Sequence, residues 1–234
     1  MNPLDTQKLD SRINTPREFL TKTESAVRKL FAGVDEYVMI IRQGHTPVFS
    51  GTFPDKQRHD ESFEAWLSKN DQAINISLAA QREFSNESLA LGMLCGAILQ
   101  VAATGIRWFS RNSVIPDNFT VSIGKKKKAV APFCIGRYVR NVPIGLIIYS
   151  GRNQYNHMDG EELHEPNRAV FDCLAKNHGY ASDEPFLDPS FDLNNTTLIN
   201  YSANVTALLG WRCYDNYFTD MSQLFASLSS SENK

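Results

Sequence analysis

From Phe19 onward the apolar residues recur every three or four positions. Phe19, Leu20, Val27, Leu30, Phe31, Val34, Tyr37, Val38 and Ile41 lie close to a 3.6-residue period, which predicts a helix. Its start is written just upstream as Thr15-Pro16-Arg17-Glu18. A threonine can cap, a proline suits the first turn, and the glutamate sits where a capping box needs one. The helix should stop near Gly44. Residues 44–58 hold Pro47, Gly51 and Pro54 and read as a loop or short hairpin, since 47–53 has some strand character. Asp60 to about Asn70 reads as a second helix with Phe63, Trp66 and Leu67 inward, extendable through Ile74, Ile76, Leu78 and Phe84. Ser85-Asn86-Glu87 reads as the cap of a separate long helix running to about Arg111. That helix is apolar nearly all round, which places it at the centre of a bundle.

Residues 114–128 carry Pro116, Gly124 and four lysines and read as a mobile basic loop. Residues 129–157 read as helix in two pieces. Pro143 lacks a backbone donor and disfavours helix at Val142, so a break is expected at 141–143 and a fresh helix from Pro143 to His157, ended by Asp159-Gly160. Glu165-Pro166-Asn167 starts another helix with Val170, Phe171, Leu174 and Ala175 inward, ending at Asn177-His178-Gly179. Residues 180–193 read as a loop and Asn194–Ser229 as a last long helical region. The polar ends, 1–14 and 229–234, read as flexible tails. Strand patterns are nearly absent. The expectation is an all-α single domain over 1–234, a bundle of about five to seven helices, with 112–128 as its basic loop.

Composition leaves that picture in place. At 42% apolar and 21% charged, the chain is ordinary globular protein. Its start shows no basic region followed by an apolar one, so no signal peptide is expected. Leu89–Ile106 is the most apolar stretch, but Gln100, Thr104 and the following Arg107 suit a buried helix, and Gly92 and Gly96 read as close helix packing rather than a membrane dimer motif. No membrane partner and a cytoplasmic location are expected. Cys95, Cys134, Cys173 and Cys213 form no CxxC pair, which argues for reduced thiols rather than a zinc site.

Charge does change the picture. The chain is net −2, yet Arg107 to Arg152 holds nine positive residues against one negative, Asp117. A basic segment in an acidic chain is a footprint for a polyanion, and equally the pattern of a solvated lysine run with locally paired arginines.

Within that segment the apolar run Ile147-Ile148-Tyr149 turns into Arg152-Asn153-Gln154-Tyr155-Asn156-His157. Core positions want apolar groups and solvated faces favour Lys and Glu, so this dense set of donors suggests a site. Arg152, four residues, then His157, with Asn153 directly after the arginine, resembles the signature of the HEPN superfamily. Phe133–Arg137 and Pro143–Tyr149 look like part of the same block. The resemblance implies an all-α fold, metal-independent cleavage of RNA with no cofactor, and a homodimer whose two motifs meet in a shared cleft. A toxin or defence effector is implied, with an antitoxin or a nucleotidyltransferase as possible partner.

The residue types suit that chemistry. An imidazole moves protons near neutral pH, so His157 would do acid/base work. A guanidinium binds phosphate bidentately, so Arg152 would hold the scissile phosphate, with Asn153 orienting one of them. Tyr155 would stack on a base or donate through its hydroxyl, while Lys125, Lys126, Lys127, Lys128, Arg137 and Arg140 would guide the RNA backbone. On a regular helix positions five apart do not share a face, whereas Asn153 and His157, four apart, do. Either the helix ends before His157 or a second copy completes the site. The rival class is a non-catalytic HEPN-like module that binds a nucleotide or a partner protein, and the bland alternative is a helix cap in which Arg152 bonds carbonyls. His45, His59, His164 and His178 lie in polar or loop contexts and read as surface rather than catalytic; His164 is also near enough to His157 in sequence to support it from behind. A metal held by His157 with Asp159, Glu161 and Glu162 lacks a spaced ligand pattern.

Overall fold

A computed structural model describes residues 13–43, 47–157, 163–179, 187–195, 198 and 200–229. They are predominantly helical: α1 (Pro16–Gln43), α2 (Lys56–Phe109), α3 (Thr120–Ile123), α4 (Lys127–Val130), α5 (Ile144–Asn156), α6 (Asn167–Lys176), α7 (Ser202–Leu208) and α8 (Tyr214–Ser229). The one sheet among them is a small antiparallel hairpin of β1 (Tyr138–Val139) and β2 (Val142–Pro143). The all-α expectation holds. The expected tails lie largely outside the described residues, as does Asp159-Gly160.

The Thr15 cap forms as read, with the return bond from Glu18 displaced by one residue. The Glu18 amide donates to Thr15 Oγ1 at 3.1 Å, and the Glu18 carboxylate accepts the Asn14 amide at 3.0 Å. α1 runs antiparallel to α2. Phe19 near its start meets Trp108 and Phe109 near the end of α2, at 5.7 and 6.1 Å between ring centroids, and Phe225 of α8 at 6.4 Å.

Two helices expected between residues 60 and 111 are one. α2 runs unbroken through Ser85-Asn86-Glu87 for 54 residues, about 81 Å at 1.5 Å per residue. No proline or glycine interrupts 56–91, and a serine or asparagine permits a helix start without forcing one. Its two halves differ. Before Leu91 only Ser77 and Ala80 are buried, and Phe49 and Phe53 of the preceding extended segment pack with His59, Phe63 and Trp66. From Leu91 to Ile106 ten residues are buried. By length and composition this helix could cross a membrane, but over half of its most apolar window is buried inside the fold.

Gly92 and Gly96 are packing glycines. A Cβ on Gly96 would meet the Tyr155 ring, and one on Gly92 would meet the Asn200 side chain. Gly151 lies against Leu99 and Val205 in the same way. The pairs Gly96–Tyr155 and Leu99–Gly151 fix α2 and α5 as antiparallel neighbours.

Residues 117–133 are not an open loop. They wind through short helical turns, α3 and α4 among them, that bury Phe119, Ile123, Val130 and Phe133. The apolar residues every three to four positions pin the segment to the core, while Lys125 to Lys128 stay exposed. The helix expected before the Pro143 break is also absent, and the hairpin stands there instead. Its two-residue connection, Arg140-Asn141, has φ of 49° and 66°, the left-handed pair that a tight hairpin needs.

α5 then begins at Ile144, one residue after Pro143, as the break predicted. Its first amides are capped by main chain: Ile144 N donates to Arg137 O at 2.9 Å and Gly145 N to Ile135 O at 3.1 Å. Gly145 has to be glycine, because a Cβ there would strike the Phe133 carbonyl. Ile144, Leu146, Ile147 and Ile148 are all fully buried, each contributing roughly 2 kcal/mol by removal from water.

The last helical region is two helices. α7 ends in a Schellman turn, with Gly210 N donating to Ala207 O and Trp211 N to Thr206 O, both at 3.0 Å, and Gly210 at φ 76°. That turn frees the Leu209 carbonyl, which accepts Arg137 Nη2 at 2.8 Å.

Candidate active-site cleft

The polar run at the end of α5 separates into packing residues and cleft residues. Gln154 is buried and its Oε1 accepts the Tyr201 amide at 3.0 Å, so it ties α5 to the start of α7. Tyr155 is half-buried against Gly96, so its ring serves packing between α2 and α5; the expectation of a base-stacking tyrosine meets a ring already covered on one side. Asn156 is exposed.

α5 ends at Asn156. His157 is its C-cap, with φ −122° and ψ 27°, and its amide donates to Gln154 O at 3.2 Å. The helix thus stops before His157, as one of the two alternatives required, but the stop does not bring Arg152 into the space that His157 lines. The exposed imidazole leaves the helix end and lines a cleft of about 260 Å³ with Lys126, Tyr149, Asn153, Leu163, His164 and Asn167.

Three chain segments, far apart in sequence, build this cleft. α5 supplies Tyr149, Asn153 and His157. The turn before α6 supplies Leu163 and His164, and α6 itself begins with Asn167. The basic segment supplies Lys126, whose Nζ donates to the Glu165 carbonyl at 2.6 Å. Asn153 Nδ2 donates to Asn167 Oδ1 at 3.2 Å, joining α5 to α6. Asn153 therefore positions α6, rather than bonding Arg152 or His157 directly. The His164 carbonyl accepts the Asn167 and Arg168 amides at 3.0 and 3.4 Å.

Arg152 does not line the cleft. It lies beside it, with its guanidinium carbon 5.8 Å from the centroid of the Tyr149 ring, so one tyrosine borders both. Its Nε is buried without a hydrogen-bond partner. Burial pushes this guanidinium below the usual arginine range; the nearby Arg107 adds to the shift and Tyr149 opposes it. The simple helix cap, in which Arg152 bonds carbonyls, has no such bond to Nε. Two guanidinium groups close enough to shift one another make a locally cationic edge suited to an anion.

The other expected RNA guides divide. Lys125, Lys127 and Lys128 are exposed along the same short turns as Lys126. Arg137 is held elsewhere: its Nε and Nη2 reach Asp220 at 2.9 and 2.8 Å, and the Trp211 Nε1 donates to the same carboxylate at 2.8 Å. Arg140 donates through Nη1 to Asp188 Oδ2 and to the Leu174 carbonyl, both at 2.7 Å. Both arginines knit the hairpin to the helices around it, a role that the charge count in the sequence could not distinguish from RNA guidance. Nothing in the sequence marks Tyr149 or Asn167 as a site residue. Asn167 shows in sequence only as a helix start, and its pairing with Asn153 is a tertiary fact.

No protein-family model matches the sequence, and neither any curated protein nor any solved structure does. Among the described residues no group of three His, Cys, Asp or Glu side chains stands close enough to share a metal ion. Asp159, Glu161 and Glu162, the carboxylates weighed with His157, lie outside the described residues.

Proposed function

We propose that this protein is a metal-independent endoribonuclease of HEPN type. The observation that carries the reading is the cleft in which His157 leaves the end of α5 and faces Lys126 and the Asn153–Asn167 pair. In this reading the RNA 2′-hydroxyl attacks the adjacent phosphorus and the 5′-oxygen departs, leaving a 2′,3′-cyclic phosphate. His157 transfers a proton. Arg152, with its unpartnered Nε beside Tyr149, holds the phosphate, and Lys126 adds a second cation at the cleft wall. Lys125, Lys127 and Lys128 draw the polyanion in. The working unit is a homodimer in the cytoplasm, acting as a toxin or defence effector with an antitoxin or nucleotidyltransferase partner.

The second reading, a non-catalytic HEPN-like module for a nucleotide or a partner protein, is favoured by one fact: Arg152 does not line the cleft that His157 lines. The double variant Arg152→Ala, His157→Ala separates the two. Loss of RNA cleavage with retained fold supports the enzyme, while undiminished cleavage by that variant refutes the assignment. A binding module shows no cleavage in either form.

A further inference from the structure

Cleaving RNA through its 2′-hydroxyl moves two protons. One leaves the 2′-oxygen as it bonds to phosphorus; another reaches the 5′-oxygen as its bond to phosphorus breaks. Two groups that titrate near neutrality do this better than one. His157 is one. The remaining cleft residues are Lys126, Tyr149, Asn153, Leu163, His164 and Asn167. Amides and an aliphatic chain transfer no protons, and only imidazole titrates unperturbed in the neutral range.

The geometry points to His164 as the second proton-transfer residue of this cleft. It and His157 line one space of about 260 Å³, roughly 8 Å across if spherical, which is the scale of a single phosphodiester. Its main chain is held from three directions. Its carbonyl takes the Asn167 and Arg168 amides, the next residue's carbonyl takes Lys126 Nζ at 2.6 Å, and Asn167 is bonded to Asn153 on the helix that carries His157. Asn167 is 8% exposed, so a largely buried amide serves to join the two histidine-bearing segments. A polar tie in such a place is favourable only when satisfied, and here it holds together the two chain segments that carry the imidazoles.

This inference rests on the ribonuclease reading and changes one part of it. A dimeric site would take its two imidazoles from two copies; here a single chain brings two to one cleft. In the attack step one imidazole, neutral, accepts the 2′-hydroxyl proton. The other, protonated, donates to the departing 5′-oxygen. The products are a 2′,3′-cyclic phosphate and a 5′-hydroxyl, and the pair ends with its two protonation states exchanged.

The test compares two substrates: a dinucleoside monophosphate, and uridine 3′-(4-nitrophenyl) phosphate, whose leaving group departs without a proton. On the dinucleotide, His157→Ala and His164→Ala should each lower kcat by about 100- to 10,000-fold. On the nitrophenyl ester one of the two variants, the one lacking the acid, should regain a rate near wild type while the other stays slow. His164→Gln, with the fold checked by circular dichroism, should behave as His164→Ala. Wild-type rates for His164→Ala on both substrates would overturn the inference and leave the ribonuclease reading standing. Equal losses by both variants on both substrates would also overturn it. A wild-type protein that cleaves neither substrate would remove the reading and the inference together.

Discussion

Asp220→Ala tests whether Arg137 belongs to the fold or to an RNA path. The Asp220 carboxylate, 7% exposed, takes the Trp211 indole N–H and two guanidinium N–H groups of Arg137. Removing it leaves Trp211, itself 3% exposed, with a buried donor and no acceptor, which costs about 1–3 kcal/mol. Arg137 suffers less, because its side chain is 43% exposed and can turn to water; the lost ion pair adds only about 0.5–1 kcal/mol. The sum is about 1.5–4 kcal/mol, or a melting temperature lower by roughly 3–16 °C for a domain of this size. The assay is urea unfolding followed by tryptophan fluorescence, with circular dichroism as the second probe. Arg137→Ala should destabilise comparably, since it strands a buried carboxylate, and the double variant should cost less than the sum. A change below about 0.5 kcal/mol for Asp220→Ala, or an Arg137→Ala protein that keeps its stability yet loses RNA affinity, would refute the reasoning.

The Asp188 carboxyl gives a pH prediction. Burial raises it, but bonds from the Ser190 amide and from Arg140 outweigh that and hold it below the ordinary carboxylate range. A depressed folded-state value means stability present above the unfolded pKa of about 3.9 and lost as pH falls through the folded value, so Asp188→Asn should flatten the acid limb of a stability profile below about pH 4. An unchanged acid limb would count against the Arg140–Asp188 tie. Gly96→Ala should destabilise by about 1–2 kcal/mol, overpacking against Tyr155 outweighing the gain in helix propensity; a stabilised variant would mean that α2 and α5 are not so close. Burial pushes the Cys134 thiol up to about 11, so at pH 8 a thiol reagent should modify exposed Cys213 well before Cys134, and reversed order by mass spectrometry would contradict the burial.

Local signals were legible where one residue type has one main use. Thr15, Pro16 and Glu18 marked the start of α1, and Pro143 marked the break before α5. Gly92 and Gly96, four apart in an apolar run, mark a close helix contact, and Tyr155 and Asn200 make it. Ser85-Asn86-Glu87 misled, because cap residues permit a helix start without forcing one, and no proline or glycine breaks the chain there. Arg140-Asn141 hid a hairpin, since its left-handed pair lacks the glycine that usually announces one and is held instead by the bonds of Arg140.

The candidate site was half legible. His157 stood out as a titratable group ending an apolar helix. What completes its cleft depends on contacts between distant segments: Lys126 meets Glu165 across 39 residues, and Asn153 meets Asn167 across 14. Charge counting also pooled arginines of opposite use. Arg137 and Arg140 hold carboxylates of their own chain, while Arg152 keeps a buried, unpartnered Nε.

The central claim is tested most directly by incubating the protein with end-labelled single-stranded RNA in EDTA, beside His157→Ala. The account predicts cleavage by the wild type alone, with 2′,3′-cyclic phosphate ends. Equal cleavage by both proteins, or cleavage that appears only when a divalent ion is restored, would contradict it.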